Sequence, residues 1–471
     1  MVGGANATSV CTIREVDLRV QRIAFAASSR LTEVFPVFGA RLLDAAVRPV
    51  AGSRAVSAMF GRRNRRVMGR VRAPYRFLVI PDIHIGDAVM TQSALAAIRD
   101  YFPSAQVDYA VSRAAAPLLE GHPDATRILP LLSGAQFPTA ADRESLRAAI
   151  AAGAYDLCLN FGSFLDRRDV APAAQPFISF LTHAPALLRN ENDQERVNHF
   201  SFQYYQFVRS VLAMAAAPVR PAAYPGGRLF IADRAIAEAS RCAADLEVAP
   251  GAPVILINPD GGCRFTLLPF AQQADLVARL ASDAPRGTSI LVGAGHSWEG
   301  IGQRLVDAVP ADVRCRLRIV PKTLSLEAYA ALMDRADVMI TGDTGPLHLA
   351  AARRFARSGR HRFRNRTAVL SLFGATIPRL SGYDSARPGY LAANQDAPSW
   401  CCVAPSPCRN VTCLNKYFKT CRAVRCFEGV DVPGLVALVV EHLRGVATPA
   451  SACVPPVVAF GDPPARDPAA A

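Results

Sequence analysis

The chain has 471 residues and a formal net charge of +14, with 51% hydrophobic and 20% charged residues. That length buries two substantial cores, and that composition excludes a disordered polyelectrolyte. The positive excess points to anionic partners such as a sugar nucleotide, an acidic glycolipid or a membrane surface, while the basic residues lack the stacking or helix-turn-helix pattern of a nucleic-acid binder.

The opening residues, MVGGANATSVC, lack the basic-then-apolar order of a secretory signal, and no window is long and charge-free enough to span a bilayer. Cytoplasmic residence is therefore expected. Spaced apolar positions between residues 12 and 50, among them Leu18, Ile23, Leu31 and Leu42, suit helical pieces that pack on the main body or touch a membrane surface. Six arginines between Arg62 and Arg72 follow as a basic linker that would also assist attachment to an acidic membrane. Residues 1–75 thus read as an N-terminal helical and basic extension.

From Phe77 onward strands and helices alternate. Strands are expected at Phe77–Ile80, Val107–Val111, Arg127–Leu131 and Leu157–Asn160, with helices at Ala88–Tyr101, Ala114–Glu120 and Arg143–Ala152. This is the rhythm of a mostly parallel sheet covered on both faces. The aromatic-rich stretch 172–215 gives no clear pattern beyond core packing. Pro218–Gly227, rich in Pro, Gly and Ala, marks a linker. A second alternation then places strands at Val254–Asn258, Ser289–Val292, Arg318–Ile319, Val338–Thr341 and Val369–Phe373, with helices at Pro269–Leu280, Gly300–Ala308, Leu326–Arg335 and Val432–Leu443. The division is therefore 76–225 and 226–445, with a Cys-rich segment at 401–426 and a Pro- and Ala-rich tail, 446–471, that reads as disordered. Two α/β halves joined by a linker imply a cleft between them.

The stretch ADVMITGDTGPLHLAA, Ala336–Ala351, carries the strongest chemical signal. An apolar strand stops at Gly342-Asp343-Thr344-Gly345, and Pro346 suits the first turn of a helix, which puts Thr344 and nearby amides at a helix N-terminus fit for a phosphate. Asp343 and His348 add groups that can orient a ribose or a diphosphate. The plain alternative is a strand-turn-helix junction in which Asp343 caps the helix and His348 is packed. In the same half, Asn258-Pro259-Asp260-Gly261-Gly262-Cys263-Arg264-Phe265-Thr266 supplies glycines for close approach, with Arg264 and Thr266 for phosphate oxygens. Glu299, beyond the Gly293-Ala294-Gly295 turn, suits a ribose or adenine group, or a helix cap. If the strands are parallel, these three loops converge.

In the first half, Gly86-Asp87 follows the first strand. Asp87 can take a proton from an attacking hydroxyl, with Asp82 and His84 as rivals and helix capping as the plain alternative. The run RRFARSGRHRFRNR, Arg353–Arg366, reads as a surface loop, or as a contact for an anionic acceptor or headgroup. Cys402, Cys408, Cys413 and Cys421 are weak metal ligands, because their gaps do not match a zinc knuckle and no histidine supports them.

The segments FLVIPDIHIGDAVMTQSALAAIRDYFP at 77–103, INPDGG at 257–262, and ADVMITGDTGPLHLAA followed by LSLFGAT together resemble glycosyltransferase family 9, the lipopolysaccharide heptosyltransferases, across roughly residues 76–443. The resemblance implies an α/β GT-B fold of two facing Rossmann-like domains, here with an N-terminal extension. It also implies inverting transfer of heptose from ADP-heptose to a glycan acceptor of the lipopolysaccharide core, with no cofactor or catalytic metal. The family's base falls on Asp87, in the loop with Gly86. Its diphosphate motif falls on Asp343, Thr344, Gly345 and His348. Departures are visible too: a family Lys and Trp before Pro269 are replaced by Thr266 and Leu268, so that Arg264 has to stand for the lysine. The cysteines resemble the Cys group of some relatives, including a branch that heptosylates autotransporter proteins and holds iron, so a structural zinc or iron is a secondary expectation. Peripheral contact with the cytoplasmic face of the inner membrane is expected. The alternatives are heptosyl transfer to an autotransporter protein and a non-catalytic protein that keeps the two-domain scaffold and recognises an anionic glycan through the arginine run.

Overall fold

The computed structural model describes residues 62, 64–71, 75–135, 138–162, 165, 170–172, 175–180, 199–216, 226–262, 264–295, 298–374, 376–405 and 425–446. Strands β1 (Arg76–Ile80), β2 (Gln106–Ser112), β3 (Arg127–Leu132), β4 (Leu157–Asn160) and β5 (Phe177–Ser179) form a parallel sheet in the order β3-β2-β1-β4-β5. They are followed by β6 (Arg228–Ile231), β7 (Val254–Asn258), β8 (Ser289–Gly293), β9 (Leu317–Val320), β10 (Val338–Gly342), β11 (Arg353–Ala356), β12 (Ala368–Phe373) and β13 (Ser399–Val403). Six of these make a second parallel sheet, β13-β12-β10-β7-β8-β9. In each sheet the chain winds one way from its first strand and then returns to wind the other way. The resulting crevices lie between the ends of β1 and β4 and between those of β7 and β10, where open α/β sheets place ligands.

The apolar runs are explained by burial on both faces. Phe77 and Val79 of β1 enter one core while Leu78 and Ile80 enter another. Likewise Val254 and Leu256 of β7 face one core, Ile255 and Ile257 a second. The core that takes Phe77 and Leu256 also contains Val89 and Leu347, so apolar packing is continuous from one sheet to the other.

Several expectations are corrected by the structure. The helix expected at Ala88–Tyr101 is two helices, Ile85–Met90 and Gln92–Tyr101, joined at Thr91. The first begins earlier than its apolar run because His84, in extended conformation, is its N-cap. Asp87 therefore lies in the first turn and does not cap the helix. The unclear stretch holds the helix Phe200–Leu212, which packs on Gln92–Tyr101. Strands β5, β6, β11 and β13 were not expected.

The arginine-rich run is not a surface loop throughout. Its first residues are β11, paired in parallel with β6, and the Phe355 ring stacks on Phe230 at 5.6 Å. Arg354 is 1% exposed and donates to the Ala330 and Leu349 carbonyls. Arg357 donates to the Phe230 carbonyl, Glu327, Glu120 and Pro117, and so joins elements of both halves. Arg364 donates to the Asp334 carbonyl. Arg360, Arg362 and Arg366 stand at the surface. Most of residues 1–75 and all of the 447–471 tail lie outside the described residues. No helix among the described residues is long and apolar enough to cross a membrane.

Candidate active site

The second sheet's crevice is built from polar groups placed where two buried strands end. Asn258, closing β7, donates through Nδ2 to the Asp260 carbonyl (2.6 Å), Thr341 Oγ1 (3.1 Å) and Thr344 Oγ1 (3.4 Å). The two threonine hydroxyls lie 3.1 Å apart. Thr344 is the N-cap of the helix Gly345–Ala351, extended at φ −141°, and its side chain caps none of the turn's amides. The positive end of that helix thus faces the crevice without a cap from the Thr344 side chain. Thr344 rather than Asp343 occupies the N-cap position, and Asp343 Oδ1 accepts from Ser381 Oγ at 3.1 Å.

Glycine is required where the loops meet. A Cβ on Gly342 would lie 1.8 Å from the Thr266 carbonyl oxygen, so only glycine lets the short turn Arg264–Thr266 press on the end of β10. On Gly261 it would lie 2.6 Å from Thr344 Cγ2, and on Gly295 3.7 Å from Asp260 Cγ. The loops after β7, β8 and β10 therefore do converge. Thr266 is buried at 2% exposure. Gly262 borders open space, and Glu299 is exposed in the turn before the helix Ile301–Ala308, without a side-chain contact that joins it to the cluster. The Arg264 side chain lies outside the described residues.

The first sheet contributes the turn after β1. A Cβ on Gly86 would fall 2.5 Å from Cδ2 and 3.3 Å from Nε2 of His348, and one on Gly345 would fall 3.8 Å from the Gly86 nitrogen. The first turns of two helices, one from each half, touch across the gap. Asp87 is the next residue, its side chain 27% exposed and 4.0 Å from His84 Nδ1. Asp82, by contrast, accepts from the Ile83 amide of its own loop at 2.9 Å. His348 is buried, and its Nδ1 lies 3.0 Å from the Tyr383 hydroxyl, which fixes the ring with Nε2 toward Gly86.

Sequence reasoning missed Ser381 and Tyr383, which hold Asp343 and His348, and His199, whose ring lies 4.7 Å from that of Tyr383. Asn258 was part of the quoted loop without a role, although a lone amide closing an apolar strand was its visible signal. Among the cysteines, Cys402 carries a free, partly buried thiol that burial pushes up in pKa. Cys408, Cys413 and Cys421 lie outside the described residues, and among those described no cluster of three metal-ligating side chains occurs.

The family model for glycosyltransferase family 9 (heptosyltransferase) matches residues 233–398. No curated protein matches the chain in sequence. Among solved structures, ADP-heptose lipopolysaccharide heptosyltransferase II of E. coli is 16% identical over 79% of this chain and 99% of that one, with a TM-score of 0.51. A glycosyl transferase family 9 protein of Veillonella parvula is 16% identical over 79% of this chain and 98% of that one, with a TM-score of 0.56. The likeness to both establishes the GT-B arrangement of two Rossmann-like domains. The loop that follows β10, with Asp343, Thr344 and Gly345, lies inside the segment that the family model matches.

Proposed function

We propose that the protein is an inverting glycosyltransferase that moves heptose from ADP-heptose to a hydroxyl of a lipopolysaccharide core or related glycan. The observation that carries this reading is the contact between Gly86, beside Asp87, and the His348 ring at the end of the Thr344–Gly345 turn. A base and a phosphate-binding helix end on opposite sides of one gap are what in-line displacement needs.

In this reading residues 76–225 serve the acceptor and residues 226–445 the nucleotide sugar. Asp87 takes the acceptor proton as the hydroxyl oxygen bonds to the anomeric carbon, and the bond from that carbon to the diphosphate breaks on the opposite face. The departing diphosphate gathers negative charge, which the Thr344 and Gly345 amides stabilise together with Arg264 and the Gly261–Thr266 loop. Asp343 and His348 orient the donor, and Glu299 reaches its nucleoside. The exposed Arg360, Arg362 and Arg366 suit an anionic acceptor or headgroup.

A calorimetric screen with ADP-, GDP-, UDP- and dTDP-sugars tests the donor, and binding confined to a nucleotide other than ADP would remove ADP-heptose. Asp87→Asn should lower kcat by about 10²- to 10⁴-fold while donor Kd stays within about twofold. Near-normal turnover by that variant removes Asp87 from the base role.

A further inference from the structure

His199 is the N-cap of the helix Phe200–Leu212, which packs on the first half of the molecule, yet its ring lies against residues of the second. It is 0% exposed. Its Nδ1 accepts from the Ser201 amide at 3.2 Å, so the neutral ring carries its proton on Nε2. That Nε2 is buried without a hydrogen-bond partner. Burial, with His348 next in effect, drives its pKa down to about 3, whereas the Ser381 backbone and the Asp343 carboxylate act in the opposite sense. The ring itself lies 4.7 Å from that of Tyr383 and 6.4 Å from that of His348.

The segment Ser381–Tyr383 carries both side chains that hold the diphosphate motif: Ser381 Oγ donates to Asp343, and the Tyr383 hydroxyl meets His348 Nδ1. It has no slack. A Cβ on Gly382 would lie 2.7 Å from the Pro378 carbonyl oxygen and 3.0 Å from Cys401 Sγ. A push or pull on one of its residues therefore reaches the other.

We infer that His199 is a positioning residue for donor binding, reaching from the first half to hold the Ser381–Tyr383 segment and, through it, Asp343 and His348. The buried Nε2–H is the group that engages the segment when the donor is bound. The inference rests on the reading of Asp343–His348 as the diphosphate end.

Two substitutions separate positioning from mere stability. His199→Asn keeps a good helix cap in place of Nδ1 but loses the far N–H, while His199→Gln places an amide N–H near the Nε2 position and loses the short cap. ADP is titrated calorimetrically into wild type and variants, and melting is followed in parallel. The expected pattern is crossed: His199→Asn melts with wild type but binds ADP about tenfold more weakly, and His199→Gln melts lower but binds within about threefold of wild type. Tyr383→Phe should weaken binding to a similar degree, and the double variant His199→Asn/Tyr383→Phe should be no weaker than the worse single one. Affinity that follows melting temperature in both His199 variants, or losses that simply multiply in the double variant, would overturn the inference. Wild type that binds neither ADP nor GDP, UDP or dTDP would instead overturn the diphosphate reading beneath it.

Discussion

An asparagine stands at the end of a strand in each sheet's crevice, and the two are used in opposite ways. Asn160, closing β4 beside β1, is fully buried. Its Nδ2 donates to the Gly162 and Leu165 carbonyls and to Ser179 Oγ, and its Oδ1 accepts from the Gly162 amide, at 3.1 to 3.3 Å. These bonds close its own loop and tie it to the end of the neighbouring strand β5. Asn258, closing β7 beside β10, ties two hydroxyls of a separate motif together and stays half-buried at the rim. Topology alone makes both crevices equal as ligand sites. In the proposed function the bonds at the strand ends suit the second crevice to a nucleotide, while the first offers the helix turn that bears Asp87.

The largest test of that asymmetry acts on the place where the crevices meet. Gly86→Ala would put a methyl group 2.5 Å from His348 Cδ2, and the two halves would have to part. Turnover should fall by about 100-fold in a steady-state assay, with a stability loss of about 1–3 kcal/mol in urea unfolding. Wild-type turnover in Gly86→Ala would mean that the contact is dispensable. The next test pairs the asparagines. Asn160→Ala leaves buried carbonyls without donors and should cost about 2–3 kcal/mol of stability with donor Kd unchanged. Asn258→Ala should weaken donor binding about tenfold with little change in melting, because its partners can turn to water or ligand. If both variants move the same quantity, the comparison fails.

The smallest effect is on pH dependence. His122 and His199 are both held neutral, burial pushing each pKa down to about 3, with Arg228 and Arg99 adding to His122 and His348 to His199. In the unfolded chain each would titrate near the ordinary imidazole value of 6.5. The unfolded state then binds more protons, so the stability from these groups is complete above pH 6.5 and is lost as pH falls toward 3. Urea unfolding at pH 7.5 and 6 should show a loss of just under about 1 kcal/mol per histidine, and His199→Asn should remove its share. A loss of the same size in that variant would show that His199 is not one of the groups responsible.

The strands of the two sheets other than β5 and β13 were legible as buried apolar runs, and the β10 turn as the glycine-bearing stop that follows one. The Gly86–His348 contact was only inferable from two loops facing a common gap. What could not be read is what depends on distant partners. Arg353–Ala356 reads as a basic loop because nothing local announces that Arg228–Ile231 will pair with it. Arg354 and Arg357 look like surface charge until the carbonyls they bond are known. His199 sits in the stretch HFSFQYYQF, where its neighbours' aromatic character argues only for packing.

The paired strands β6 and β11 carry one more consequence. The chain enters the second half at β6, where Gln92 of the first half bonds both the amide and the carbonyl of Arg228. Arg357, just past β11, reaches the first half again at Glu120 and Pro117. A body pinned at two neighbouring points swings most cheaply about the line that joins them. Any parting of the Gly86–His348 contact that left these pins in place would then turn about this ribbon.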